Sequence, residues 1–115
     1  MIIKAANVTI MVKDMDRAIA FYEAIGFTLK ERWGNHYAQL TAPDIVIGLH
    51  PSDEKNMENG SGNVSIGFTT DIFEETKALL QNLRVEVTER EEEGGRFLHF
   101  NDMDGTALYF IQPKW

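Results

Sequence analysis

Three histidines and no cysteine bound the chemistry open to this chain. Without thiols, neither a disulfide framework nor a thiolate-held metal is available. General acid–base work falls to His36, His50 and His99, because imidazole titrates near neutral pH. His50 shares a strand face with Tyr37, Gln39 and Gly48 when Pro43-Asp44 is the two-residue turn of a hairpin. His99 faces Tyr109 when Met103, Asp104 and Gly105 form the last hairpin loop. His36 is one residue out of step with Tyr37 and Gln39 and is peripheral. His99 and Tyr109 are the catalytic candidates: imidazole can take a proton and the phenol can donate or orient one. The plainer reading of the pair is two polar groups satisfied by their neighbours. His50 and His99 as ligands of a relocated metal find no carboxylate on that face to complete a shell. Trp33, Tyr37, Phe97 and Tyr109 form either an aromatic wall for a flat or cationic ligand or ordinary sheet packing. Asp102 and Asp104 read as turn residues that bind backbone.

The elements that position these groups come from a repeat. Asn7 to Phe27, NVTIMVKDMDRAIAFYEAIGF, has a degraded copy in Asn63 to Leu83, NVSIGFTTDIFEETKALLQNL, at an offset of 56 residues that pairs Asn7 with Asn63 and Phe27 with Leu83. Val8, Ile10 and Val12 alternate with Asn7, Thr9 and Met11, the period of a half-buried strand. Asp14 or Asp16 caps a helix carrying Ala18, Phe21, Tyr22 and Ile25 on one stripe, and Gly26 fits its left-handed end. Strands follow at Phe27–Trp33, His36–Thr41 and Ile45–His50, with Gly34-Asn35 and Pro43-Asp44 as turns. The second copy predicts a strand at 63–69, a helix at about 72–82, a strand near 84–90 and a closing hairpin of Arg96–Asn101 and Thr106–Gln112. Glu89–Glu93 reads as a solvated acidic loop. Module one spans about 1–50, a polar linker 51–62, and module two 63–115.

The fold class expected is α+β: two βαβββ modules in a curved eight-stranded mixed sheet, helices on the outer face and the other face lining a cleft. At 115 residues the chain makes one domain and buries roughly two thirds of its unfolded surface. Its net charge of −7 repels nucleic acid and anionic membrane. No apolar run approaches the ~18 residues of a membrane span. Met1–Lys13 lacks the basic start and apolar core of a signal peptide, so a cytoplasmic location is expected.

VKDMDRAIAFYEAIGF and FNDMDGTALYF resemble the vicinal oxygen chelate superfamily, also called the glyoxalase/bleomycin resistance/dioxygenase family. The resemblance spans essentially the whole chain. It implies a homodimer, and metal ligands on the first and last strand of each module. Those positions fall on Asn7 and Gly48, Asn63 and Tyr109, a set without His or carboxylate. The resemblance therefore implies no metal and no cofactor, which removes the Lewis acid that glyoxalase and dioxygenase reactions need. The expectation is a protein that binds a small organic molecule in a cleft lined by Asn7, Trp33, Tyr37, Gln39, His50, Asn63, Phe97, His99 and Tyr109. A lyase- or dioxygenase-type enzyme of the same superfamily, metal-free or using shifted ligands, is the alternative.

Overall fold

Val8–Val12 forms strand β1, with Ile10 and Val12 buried and Thr9 and Met11 exposed. The computed structural model describes residues 7–52 and 65–114, and the chain divides into two compact units, Met1–Glu58 and Asn59–Trp115. Asp14 caps helix α1 (Met15–Ala24), its Oδ1 accepting from the Arg17 N–H at 3.1 Å. The helix buries Met15, Ala18, Ile19 and Tyr22. Tyr22 is fully buried and meets Phe21 and Phe27 edge-on, with centroids 5.4 and 5.7 Å away. The helix ends at Gly26, φ +126°, where the Gly26 and Phe27 N–H groups donate to the Glu23 and Tyr22 carbonyls.

Strands β2 (Thr28–Trp33), β3 (Tyr37–Ala42) and β4 (Ile45–Pro51) complete a sheet of order β1-β4-β3-β2. β1 runs parallel to β4, and the other pairs are antiparallel. Asp44 turns the β3–β4 hairpin at φ +66°. The register follows the turn: Ala42 pairs Ile45, Leu40 pairs Ile47 and Gln39 pairs Gly48. Ala38, Leu40, Ile47 and Leu49 are buried on the helix side.

The second unit repeats the plan with β5 (Ser65–Thr69), α2 (Phe73–Asn82), β6 (Thr88–Glu92), β7 (Gly95–Asn101) and β8 (Ala107–Pro113), in order β5-β8-β7-β6. Its core is Ile66, Phe73, Leu80, Leu98, Phe100, Leu108 and Phe110. The α+β class and the two βαβββ modules expected from the sequence are what the chain forms: two four-stranded mixed sheets with one helix each.

The helix α2 has no side-chain cap from Ile72. Instead Gln112 on β8 reaches over and its Oε1 accepts the Phe73 N–H at 3.0 Å. Beside it the Thr76 hydroxyl donates to the Ile72 carbonyl at 2.9 Å and the Ile72 N–H donates to Thr70 Oγ1 at 3.2 Å. With the Thr76 proton so engaged, the Thr70 hydroxyl donates across the 2.8 Å contact to Thr76.

Two expectations are corrected. The 56-residue offset fails after β5, because α2 starts later and buries Phe73, Thr76 and Leu80. The counterpart of Gly26 is then Arg84, φ +61°, and the counterpart of Phe27 is Val85, whose N–H donates to Leu80 O at 3.1 Å. The acidic run is not a loop. Residues Glu89–Glu92 belong to β6, where Glu89 accepts from Lys77 at 2.8 Å and from Arg96 at 3.5 Å. The hydrogen bond from Lys77 holds the Glu89 carboxyl below its ordinary range, and the same bond raises Lys77. Arg96 also binds Glu74 at 2.8 Å and lies over the Phe73 ring at 3.8 Å, which ties β7 to α2.

A left-handed conformation costs an L-residue about 1–2 kcal/mol, and glycine regains part of that after its own entropy loss. Arg84→Gly should therefore raise stability by about 0.5–1 kcal/mol in urea denaturation, while Gly26→Ala should lower it by about 1 kcal/mol. A neutral or negative result for Arg84→Gly would show that the long side chain contributes more than the backbone strain costs.

Candidate functional site

Each sheet spends one face on its helix, so chemistry must be sought on the other. In the second unit that face is read directly from the register. Tyr109 on β8 pairs with Gly67 on β5 and His99 on β7, while Phe97 lies two residues from His99 on the same face. The three rings form a triangle. The Phe97 and His99 centroids are 5.7 Å apart and nearly parallel, at 11°. His99 lies 5.6 Å and Phe97 5.9 Å from Tyr109. His99 is exposed, and Phe97 and Tyr109 are half-buried.

Gly67 seats this triangle. A Cβ there would collide with the Tyr109 ring, 2.5 Å from Cε2, so the phenol lies flat on the strand. The first unit uses the same device with different partners. Tyr37 covers Gly48, where a Cβ would stand 2.9 Å from Tyr37 Cε1 and Cζ. Trp33 continues the surface from Tyr37 at 5.5 Å and is 46% exposed. Gln39 is half-buried beside Gly48. His50 is exposed, with Nδ1 2.8 Å from the Pro51 carbonyl. A carbonyl can only accept, so Nδ1 is the donor in this contact. Asn7 is exposed ahead of β1. Asn63 lies outside the described residues. Asp102 is a buried turn residue whose Oδ1 accepts from Asp104 and Thr106 N–H at 2.8 and 2.9 Å.

The structure brings Phe97, His99 and Tyr109 together in one unit, and Trp33 and Tyr37 together in the other. It also moves one position. Met11 pairs His50 as Gly67 pairs Tyr109, so the first unit's counterpart of Tyr109 is His50 rather than Gly48. The positions that the resemblance assigns to metal then carry, in the sequence, Asn7, Asn63, His50 and Tyr109: two amides, one imidazole and one phenol. That set does not fit a divalent transition metal, which takes several imidazole, thiolate or carboxylate ligands. Among the described residues, no group of three or more His, Cys, Asp and Glu could hold a metal ion.

Sequence reasoning missed Arg90, the cross-strand partner of Phe97. The strand expected near 84–90 runs instead over Thr88–Glu92, and reading Glu89–Glu93 as a loop left Arg90 without a register. The alternation of Thr88 and Arg90 opposite His99 and Phe97 was the signal that could have found it.

The family model described as "Glyoxalase/Bleomycin resistance protein/Dioxygenase superfamily" matches residues 4–110. No curated protein gives a significant match. Among solved structures, the fosfomycin resistance protein FosX from Listeria monocytogenes (hexagonal form) superposes with a TM-score of 0.81 at 22% identity, over 99% of this chain and 96% of that one. A glyoxylase/bleomycin resistance protein/dioxygenase domain from Frankia sp. EAN1pec gives 0.80 at 18% identity, over 99% and 100%. A bleomycin-binding protein complexed with bleomycin gives 0.70 at 21% identity, over 97% and 100%. At these identities the likeness is one of fold.

A Gly67→Ala substitution should lift Tyr109 off β5 and break the ring triangle, while stability changes by about 1 kcal/mol or less because the ring sits at the surface. Proton NMR would read this as lost Tyr109–His99 cross-peaks at a nearly unchanged melting temperature. Cross-peaks that survive would mean the glycine does not position the phenol.

Proposed function

The chain belongs to the glyoxalase/bleomycin resistance protein/dioxygenase superfamily, and on that premise we propose that it binds a small organic molecule, with no metal at the family's ligand positions. The observation that carries this reading is the triangle of Phe97, His99 and Tyr109 on a sheet face that no helix of its unit covers. Stacked and tilted rings around 6 Å apart offer π-surface to a flat ligand, and the imidazole and phenol offer polar contacts at its edge. Binding or sequestration needs nothing more. A bleomycin-binding protein of the same fold has been solved with its drug, which supports the class of function and leaves the ligand open. Trp33, Tyr37, Gln39, His50, Asn7 and Asn63 are assigned to ligand binding on the same reading.

An enzyme of lyase or dioxygenase type is the second reading. What favours it is that His99 and Tyr109 share one patch of the sheet, their ring centroids 5.6 Å apart, and that a glutamate-to-glutamine mutant of FosX has been solved with Mn(II) and a dihydroxypropylphosphonic acid. The donor set argues against a metal-dependent version. The reading extends to assembly and place: a two-fold homodimer in the cytoplasm with no nucleic-acid partner, as the −7 charge favours. No helix among the described residues is long and apolar enough to cross a membrane.

Native mass spectrometry of untagged protein at micromolar concentration tests metal and assembly together. The expected mass is twice that of the chain, with no added transition metal. A monomer would reject the dimer, and one manganese, iron, zinc or nickel per chain would reject the metal-free site. For the binding face, His99→Phe and Tyr109→Phe should each weaken binding of a hit from a thermal-shift screen of aromatic compounds by about 1–3 kcal/mol, with the fold intact. Ile47→Phe, on the helix side, should instead lower stability by about 1–3 kcal/mol through overpacking. Unchanged affinity in both ring variants would place the ligand elsewhere.

A further inference from the structure

Strand β6 sorts its charges by face. Glu89 and Glu91 pair with Leu98 and Arg96 and so point to the α2 side, where Glu89 meets Lys77 and Arg96. Arg90 is the alternate residue and points the other way, opposite Phe97. Thr88, opposite His99, shares its face. Arg32 is bound to Asp16 at 2.7 Å and Arg96 to Glu74, but Arg90 makes no ion pair among the described residues. Glu92 shares its face two positions along and is not bonded to it. A chain with 18 acidic residues against 11 basic ones has ample carboxylates to neutralise an arginine. Among the described residues this one has no such partner, and it stands opposite Phe97, one ring of the triangle.

We infer that this face takes a small aromatic oxyanion, its ring against Phe97, His99 and Tyr109 and its carboxylate-type head on the Arg90 guanidinium. The inference rests on the binding-face reading above and names the ligand class for it. Rings alone would equally suit an aromatic cation, since the π-face attracts positive charge. Arg90 reverses that preference, because it repels a cation and offers a carboxylate two parallel N–H donors. The exposed imidazole of His99 and the phenol of Tyr109 are further polar contacts for substituents on the ring.

Three single-ring probes separate the outcomes by calorimetry on the full chain at low salt: 4-hydroxybenzoate, its near-isosteric amide 4-hydroxybenzamide, and the cation phenyltrimethylammonium. The acid should bind about tenfold more tightly than the amide, and the gap should narrow as salt is raised. Arg90→Gln should erase the gap by weakening the acid far more than the amide, with the melting temperature unchanged, as expected for an exposed edge residue. Equal binding of acid and amide, an undiminished gap in Arg90→Gln, or a preference for the ammonium probe would each overturn the oxyanion assignment and leave the binding face standing. Binding of none of the three would overturn the oxyanion assignment and count against the face itself.

Discussion

The first and last strands of each unit are parallel neighbours, β1 with β4 and β5 with β8. Parallel neighbours cannot be joined by a tight turn, so the chain must cross over between them, and the crossover carries the helix. That helix lies on one sheet face, and alternate residues of the strands inside the edge strands β2 and β6 are buried there. The remaining residues are released from the core. Tyr37, Gln39, His50, Phe97, His99 and Tyr109 all occupy such released positions, and their availability follows from strand direction rather than from any property of their own.

Turn chemistry made much of this legible in advance. Pro43-Asp44 admits a two-residue hairpin because Asp44 tolerates a positive φ, and a fixed turn fixes every pair up the ladder. Asp102 does the same for the last hairpin by holding two backbone N–H groups with one carboxylate oxygen. With the register set, alternation alone put His99 opposite Tyr109. The failures share a cause: local composition was outweighed by pairing. Glutamates have low strand propensity, yet β6 exists because β7 supplies its hydrogen-bond partner and Lys77 and Arg96 neutralise Glu89. The glycine signature that ends α1 is missing from α2 because Arg84 takes the positive φ there instead, +61° against +126° at Gly26. Losing that landmark shifted the inferred repeat and helped to conceal Arg90.

The two units also show one solution reached with different residues. A large phenol laid on a strand needs a floor without side chains, and glycine provides it in both: Gly48 beneath Tyr37 and Gly67 beneath Tyr109. In the first the tyrosine comes from the third strand and covers a glycine of the fourth. In the second it comes from the fourth and covers a glycine of the first. The duplication therefore preserves backbone and burial while the exposed face varies. Such variation is how one fold comes to serve many ligands.

Strand β6 has a further consequence, at the level of many molecules rather than one. It ends its sheet, and all five of its residues are exposed, so a row of backbone N–H and C=O groups faces outward. Such an edge invites another strand to add to it and begin a fibre. Four of the five residues, Glu89, Arg90, Glu91 and Glu92, are charged, three of them negative. A second copy laid in register along this edge would set like charges against each other, which costs free energy at the charged rungs. The acidic run thus acts as a guard on the open border of the sheet and keeps concentrated protein from zipping together there.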